Sequence, residues 1–252
     1  MVPRRYDEGV AKKPGANAGL ARRRVPPTGD AKAGSPDDAN PGAVRSAAPF
    51  VPSSTSVRTL SAAAHACRGC DLYKAATQVV FGSGSTTARV VLVGEQPGDQ
   101  EDLAGRPFVG PAGQLLDHAL KEARIDRASI YVTNAVKHFK HERRGKRRIH
   151  QTPDTPEIKA CRWWLDQELD LVRPRVLVAM GATAARAILG KAVTISRTRG
   201  APIALENGIE AWVTVHPSFL LRVPDEARKA EERARFVEDL RGIGERVKAL
   251  TR

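Results

Sequence analysis

The chain has 252 residues, and its 41 lysines and arginines exceed its 28 acidic residues to give a formal net charge of +13. This length allows a substantial hydrophobic core, and the positive charge favours a polyanionic partner such as a nucleic acid. Three cysteines are too few for a disulfide scaffold, and we expect neither a signal peptide nor a membrane-spanning segment, because no apolar run is long enough. A reducing cytoplasm is the compartment that we expect.

Residues 1–57 have the composition of a disordered tail. They are rich in proline, glycine, alanine and serine, contain few large apolar side chains, and carry pairs of basic residues. From residue 58 to residue 252, segments with strand and helix patterns alternate. We therefore predict a basic linker followed by one α/β domain.

Three cysteines have the spacing of a metal or cluster site. Cys67 and Cys70 form a Cys-x2-Cys pair after a short helical pattern, and Cys161 lies far along the chain in a predicted helix. Such a site needs a fourth ligand, for which His138 is the best candidate and His65 the alternative. The spacing alone does not separate a Zn(Cys3His) site from an iron–sulfur cluster, or either of these from three unrelated buried thiols.

Residues 94–113 form a glycine-rich loop between a predicted strand, residues 89–93, and a predicted helix, residues 113–123. Open α/β sheets build ligand sites at this position, and the five glycines let backbone amides approach a ligand closely. The loop also carries four acidic residues and lacks both the P-loop and the dinucleotide-binding motif. We interpret it as a ligand loop that does not bind nucleotide phosphates.

A strongly basic segment, residues 137–148, follows the predicted strand 130–133 and contains seven lysines and arginines. On a basic domain such a segment contacts phosphate more often than it forms a solvated face. Phe139 is a candidate to stack on a base. His150 follows, and the neighbouring arginines favour its neutral, nucleophilic form. The candidate DNA contacts in this segment are Lys137, Arg147 and Arg148.

The remaining pattern completes an α/β fold. Further predicted strands are residues 175–179 and 211–215, and further predicted helices are residues 155–171, 182–189 and 225–250. Apolar strands separated by amphipathic helices predict three αβα layers around a mostly parallel, four-stranded sheet. The motif HPSFLLR begins at His216, after the last strand. Because parallel strands end at one edge, we expect Glu95, Asn134 and His216 to converge in one crevice.

Together these motifs resemble the uracil-DNA glycosylase superfamily, and most closely its bacterial iron–sulfur group. The motifs are Cys-x2-Cys, GEQPGDQEDLAGRPFVGPAG, YVTNAVK and HPSxLLR, and they cover residues 67–222. The sequence KRRIH, combined with GEQPG, is similar to the UdgX type, which becomes covalently attached to uracil-containing DNA. The resemblance implies the fold of that superfamily and uracil-containing DNA, expected to be single-stranded, as the partner of a monomer.

The resemblance assigns base recognition to four positions. Asn134 would hydrogen-bond the edge of uracil, since an amide pairs with both an acceptor and an N–H donor. Phe108 would stack on the extruded base, and His216 would stabilise the negative charge that develops on uracil O2. Backbone amides near Gln96 would assist in binding the base.

The resemblance also implies DNA contacts and a cofactor. Ser218 would position a phosphate, and Leu220 would fill the space left by the extruded base. A [4Fe–4S] cluster would be held by Cys67, Cys70, His138 and Cys161.

Gln96 decides which reaction we expect. It stands where some relatives carry an aspartate, and an amide cannot accept a proton from water. We expect the adjacent Glu95 to contact His150 and to orient or deprotonate it, so that His150 captures C1′ of the sugar. The products would be free uracil and a protein–DNA adduct, formed once per protein molecule.

Three alternatives remain at this stage. In the first, the protein is a turnover glycosylase in which His150 only contacts phosphate. In the second, it is a zinc-containing nucleic-acid-binding module without catalysis. The third, a Cys-x2-Cys redox protein, is the weakest, because the motif lacks a suitable βαβ placement.

Overall fold

A computed structural model describes residues 45–54, 56–206 and 208–250. Its strands are β1 Ser83–Gly84, β2 Val90–Gly94, β3 Tyr131–Asn134, β4 His141–Arg144, β5 Arg147–His150, β6 Val176–Met180, β7 Ile203–Ala204 and β8 Glu210–Thr214. Its α-helices are α1 Val57–Ala64, α2 Asp99–Ala104, α3 Pro111–Glu122, α4 Thr155–Val172, α5 Ala182–Leu189, α6 Ile195–Thr198, α7 Pro217–Leu221 and α8 Glu226–Ala249. The four strands and four helices predicted from periodicity are all present, each within two residues at either end.

Six strands form one sheet in the order β1-β3-β2-β6-β8-β7. The four central strands are parallel, with Val91 opposite both Tyr131 and Leu177. The edge strands β1 and β7 have two residues each and pair antiparallel. The prediction of a mostly parallel sheet is confirmed. The two edge strands were missed because a two-residue strand has no measurable periodicity.

Helices cover both faces of the sheet, which confirms the predicted three-layer αβα architecture. On one face, α1, α4 and α5 contribute Leu60, Trp164 and Ala184 to a buried cluster. On the other face, α3 and α8 contribute Leu116 and Phe236. The central strands are buried on both sides, which is why their sequences are continuously apolar rather than alternating. No helix in the described residues is both long enough and apolar enough to cross a membrane.

The basic segment forms a hairpin rather than a loop. Strands β4 and β5 pair antiparallel, with His141 opposite His150 and Arg144 opposite Arg147. Gly145 begins the two-residue turn with φ +60°, a conformation that glycine adopts without strain. The loop prediction was wrong for this segment, because its strands are almost entirely charged and carry no apolar alternation.

The segment before α1 packs against the domain, so the tail boundary predicted at residue 57 is too late. Ala47 and Val51 are buried, and the residues between them include a short 3-10 helix, Ala48–Phe50. The amide of Ala47 donates to the carbonyl oxygen of Ala160 over 3.0 Å. A Cβ on Gly69 would lie 2.6 Å from the Ala47 nitrogen. Residues 1–44 of the predicted tail lie outside the described residues.

Candidate functional site

Three predicted site residues meet above Gly94, the last residue of β2. A Cβ atom on Gly94 would lie 2.4 Å from Asn134 Oδ1, 2.7 Å from Phe108 Cζ and 3.4 Å from His216 Nε2. The register of the sheet pairs Gly94 with Asn134, and His216 follows β8 at the same edge. We call this convergence of Gly94, Phe108, Asn134 and His216 the Gly94 pocket. Only glycine leaves space for all three side chains.

Phe108 is held in an unusual backbone conformation. Its φ angle is +57°, in the left-handed region that few residues other than glycine adopt. Gly113 permits this conformation, because a Cβ there would lie 1.8 Å from the carbonyl oxygen of Phe108. The Phe108 ring centroid lies 6.0 Å from that of His216, with the planes tilted by 30°. The aromatic ring therefore forms one wall of the Gly94 pocket.

His216 is a neutral hydrogen-bond donor. Its Nδ1 accepts a hydrogen bond from the Ser218 amide over 3.2 Å and lies 2.8 Å from Ser218 Oγ. Arg222 donates to the same Oγ, so the hydroxyl proton of Ser218 is available to Nδ1. Burial lowers the pKa of His216 to about 4. The proton therefore lies on Nε2, the nitrogen that faces the Gly94 pocket.

Glu95 and His150 form the predicted contact beside the pocket. His150 Nε2 lies 3.2 Å from Glu95 Oε1, and the hydroxyl of Thr183 donates to Glu95 Oε2 over 2.6 Å. Burial alone would raise the pKa of Glu95, but the hydrogen bonds from His150 and Thr183 outweigh it and lower that pKa. Glu95 is therefore an ionised carboxylate with one oxygen directed at His150. Thr183 was not predicted, since a single threonine after a strand carries no sequence signal.

The side chain of Gln96 does not point into the pocket. Its Nε2 donates to the carbonyl oxygens of Lys140 (3.2 Å) and Gln151 (3.0 Å), and its Oε1 accepts from the Lys140 amide (2.9 Å). These partners flank the two hairpin strands, so the buried amide fixes the hairpin that carries His150. The base contact implied by the resemblance was assigned to backbone amides near Gln96, and it stays a prediction.

Arg148 is an internal anchor and not a phosphate contact. Its Nε lies 2.6 Å from Asp99 Oδ1, and its NH1 lies 2.5 Å from Asp102 Oδ2. Two carboxylates thus neutralise its charge, and only 14% of its side chain is exposed. The predicted phosphate contact is wrong for Arg148. Arg147, which faces the opposite side of β5, remains exposed.

Lys137 and Phe139 are also internal. The side chain of Lys137 is completely buried, and its Nζ lies 2.5 Å from Glu168 Oε2. Phe139 is buried and stacks on His141, with ring centroids 4.9 Å apart. The predicted phosphate contact of Lys137 and the predicted base stacking of Phe139 are therefore wrong. A sequence signal did exist: Glu168 lies on the buried, otherwise apolar face of α4 and needs a buried cation as its partner.

The leucine predicted to fill the space of an extruded base is in the core. Leu220 is 1% exposed, whereas the adjacent Leu221 is 45% exposed. The wedge prediction is therefore wrong for Leu220, since α7 turns that side chain toward α3 and α8. Ser218 lies beside Leu220 in the same short helix, and its hydroxyl is hydrogen-bonded to His216.

The predicted cluster ligands line one cavity. Cys67, Cys70, Cys161 and His138 line this cavity, and the exposed His65 is not among the lining residues. Among the described residues, no three histidine, cysteine or acidic side chains are close enough to hold one metal ion. In a polynuclear cluster each protein ligand binds a different metal atom, so the ligands lie farther apart. A polynuclear cluster held by these residues stays a prediction.

Two sulfur atoms of this cavity accept hydrogen bonds. Trp164 Nε1 donates to Cys67 Sγ over 3.3 Å, and the amide of Lys137 donates to Cys161 Sγ over the same distance. Hydrogen bonds of this kind stabilise the negative charge of metal-bound thiolates. The surroundings of the cavity are therefore suited to thiolate ligands.

The protonation states of the cavity residues also suit a cationic group. Burial raises the pKa of Cys70 to about 11 and that of Cys161 to about 12, so both thiols are protonated without a metal. Burial lowers the pKa of His138 to about 4, which keeps its imidazole neutral and able to ligate. Binding of a metal would replace the thiol protons, and it would compensate for the burial of three thiolates.

The chain is similar to a known protein family and to several known proteins. Residues 81–241 match the family model of the Uracil DNA glycosylase superfamily. The chain is 41% identical to the Type-4 uracil-DNA glycosylase of Thermotoga maritima over 157 residues, which are 62% of this chain and 78% of the relative. It is 34% identical to the Type-4 uracil-DNA glycosylase of Archaeoglobus fulgidus over 186 residues, 71% of this chain and 87% of the relative. A Type-5 uracil-DNA glycosylase of Pyrobaculum aerophilum is 30% identical over 153 residues, 54% and 64% of the two chains.

The depressed pKa of His216 predicts a specific dependence of stability on pH. The pKa of His216 is 6.5 in the unfolded chain and about 4 in the folded protein. The stability that neutral His216 contributes is therefore present above pH 6.5 and is lost as the pH falls toward 4. Urea denaturation of a His216→Gln variant should show a smaller loss of unfolding free energy over this range. His141→Gln should retain the wild-type loss, and an equal loss in His216→Gln would contradict the assignment.

Proposed function

The chain belongs to the uracil DNA glycosylase superfamily, and from this membership we propose that it excises uracil from DNA and is captured by the product through His150. The Gly94 pocket supplies base recognition, and the pair formed by Glu95 and His150 supplies capture. Base recognition and capture depend on different contacts, so the two can be tested separately.

Recognition of uracil rests on the three side chains above Gly94. Asn134 is 2% exposed and presents its amide at the edge of the pocket, where it can pair with an acceptor and an N–H donor of uracil. Phe108 stacks on the base. His216 donates a hydrogen bond from its Nε2–H to O2 of uracil. Because the imidazole is neutral, it stabilises the developing anion through this hydrogen bond and not through a full positive charge.

Capture follows cleavage of the glycosidic bond. The C1′–N1 bond breaks, and uracil leaves with the bonding electron pair as an anion. The His150 ring nitrogen that does not face Glu95 donates its lone pair to C1′ and forms the new C–N bond. The imidazolium produced keeps its N–H directed at the Glu95 carboxylate, which balances the positive charge.

The contact between His150 and Glu95 is the main observation that favours capture over hydrolysis. His150 Nε2 is 3.2 Å from Glu95 Oε1, so the carboxylate beside the pocket is engaged with an imidazole and not with water. Asp99 and Asp102 follow in the same loop, but both are paired with Arg148. Glu101 accepts hydrogen bonds from the amides of Gly98 and Gly110, so all four acids of this segment have partners within the protein.

The fit of the cavity residues supports a [4Fe–4S] cluster as the cofactor. Cys67, Cys70, Cys161 and His138 would hold it, with histidine in place of a fourth cysteine. When bound, the cluster would join three separate parts of the chain: the segment after α1, the turn after β3 and the N-terminal half of α4. Its contribution would be to position these segments.

The exposed cations of the hairpin support single-stranded DNA as the substrate. Arg143, Lys146 and Arg147 are exposed around the turn of the hairpin whose other end carries His150. We propose that they follow the phosphate backbone while the unpaired uracil enters the Gly94 pocket. The recognition and capture residues all belong to one chain, so the proposed reaction requires no partner subunit.

Uracil-containing single-stranded DNA should produce a covalent adduct. After mixing, a denaturing gel should show one heat-stable, shifted band, and free uracil should reach at most one equivalent per protein. His150→Ser should lose the band, because serine lacks the nucleophilic nitrogen. His141→Ser is a matched control from the facing strand and should retain it. Uracil released in excess over protein without a band would instead establish turnover hydrolysis.

The cofactor should be visible in absorption. Protein purified without oxygen should absorb at about 400 nm and contain iron and sulfide, whereas a zinc site would be colourless. Cys161→Ser should lose this absorption, because its sulfur lies in the cavity. His138→Cys should retain the absorption, and His65→Ala, at an exposed histidine outside the cavity, should leave it unchanged. Zinc without iron in the purified protein would contradict the cofactor proposal.

Exposure distinguishes the two leucines of α7. We expect Leu221→Ala to slow uracil excision from double-stranded DNA about tenfold and to affect single-stranded DNA little, since an unpaired base needs no wedge. Leu220→Ala should instead lower the unfolding free energy by about 2–5 kcal/mol, because it leaves a cavity in the core. Single-turnover assays on both substrates and urea denaturation measure these effects. Equal slowing on both substrates by Leu221→Ala would exclude a wedge.

A further inference from the structure

Lys137 has a polar environment that the proposed chemistry does not use. Its side chain is completely buried. Nζ donates to Thr133 Oγ1 over 2.7 Å, to the carbonyl oxygen of Asn134 over 2.8 Å and to Glu168 Oε2 over 2.5 Å. An ammonium group has three protons, so every donor of Lys137 has a partner. One of those partners is the backbone of the residue proposed to recognise uracil.

Glu168 is satisfied in the same way. Its Oε1 accepts from the Tyr131 hydroxyl over 2.9 Å and from the Gly82 amide over 2.7 Å. Its Oε2 accepts from Lys137 and from the Thr133 hydroxyl. Replacement of a buried ion pair by apolar residues is often neutral or stabilising. A contribution to stability is therefore not sufficient to explain why Lys137 and Glu168 are present. Their position in the fold suggests a second role.

The turn that contains Lys137 lies between the Gly94 pocket and the cluster cavity. The turn begins at Asn134 and ends at His138, which lines the cavity. On the pocket side, the amides of Ala135 and Val136 donate to the carbonyl oxygens of Gly94 (2.9 Å) and Glu95 (3.0 Å).

The backbone and the side chain of Lys137 both take part in the connection between the cavity and the pocket. On the cavity side, its amide donates to Cys161 Sγ over 3.3 Å. Its ammonium group returns to the carbonyl oxygen of Asn134 on the pocket side. One residue thus contacts a sulfur atom of the cavity through its backbone and the pocket through its side chain.

We propose that Lys137 is a positioning residue that couples the cluster to uracil recognition by fixing the end of β3. The inference rests on the proposed function, in which Asn134 binds uracil. The bond from Nζ to the Asn134 carbonyl fixes the backbone from which the recognising amide projects. Hydrogen-bond recognition requires placement within about 0.5 Å, so a relaxed turn weakens uracil binding without altering the contacts to phosphate.

The test combines Lys137→Met with Glu168→Gln. Glutamine keeps an oxygen acceptor for Gly82 and Tyr131, and removal of both charges leaves neither buried alone. Calorimetric titration with free uracil should give at least about tenfold weaker binding, the loss of roughly one good hydrogen bond. Affinity for a uracil-free single-stranded oligonucleotide and absorption at about 400 nm should remain at wild-type values.

Trp164→Phe is the matched control. It removes the hydrogen bond to Cys67 Sγ on the other side of the cavity and should leave uracil affinity unchanged. Wild-type uracil affinity in a double variant that is folded and contains the cluster would overturn the proposal. Failure of the wild-type protein to bind uracil would instead contradict the proposed function.

A second measurement applies if the double variant does not fold. The cluster of the wild-type protein is removed stepwise with an oxidant and a chelator, and circular dichroism monitors the fold. The proposal expects uracil affinity to decrease in parallel with absorption while the dichroism is retained. Full uracil affinity in cluster-free protein would overturn it.

Discussion

The parallel pairing of β2 with β3 sets Gly94 opposite Asn134, and the geometry of the site depends on this register. Because parallel strands end at the same edge of a sheet, the segments that follow them begin side by side. Gly94 leaves the space into which Phe108 and His216 also reach. A shift of the pairing by one residue would turn Asn134 to the opposite face of the sheet and separate these groups.

Burial and hydrogen bonding together give the pocket a neutral donor and an anion as neighbours. His216 is half-buried and has no carboxylate in hydrogen-bond contact, so desolvation lowers its pKa to about 4 and it remains neutral. Glu95 is also partly buried, which by itself would raise its pKa. Hydrogen bonds from Thr183 and His150 outweigh this and keep Glu95 ionised. Both pKa shifts are downward, so Glu95 stays ionised and His216 stays neutral to lower pH than the free side chains would.

The basic segment serves two separate purposes in the folded protein. Lys137 and Arg148 are neutralised by buried carboxylates, and they fix the turn after β3 and the hairpin against the domain. Arg143 and Arg147 remain exposed on the hairpin. A cation held by a carboxylate in the protein interior is unavailable to DNA phosphate, so the charge of the sequence overstates the charge of the binding surface.

The sequence alone determined the order of the strands and helices, the αβα architecture and the residues that follow each strand, because hydrophobic periodicity and parallel strand ends depend on local pattern. These rules were enough to bring Glu95, Asn134 and His216 to one edge. Only the tertiary structure decided which polar side chains face inward. Lys137 turns toward Glu168, which lies 31 residues away along the chain. Gln96 turns toward the residues that flank the hairpin strands, which lie 44 and 55 residues away. Leu220, not Leu221, enters the core because α7 packs on α3 and α8. Such choices depend on contacts between distant segments, which neither composition nor spacing records.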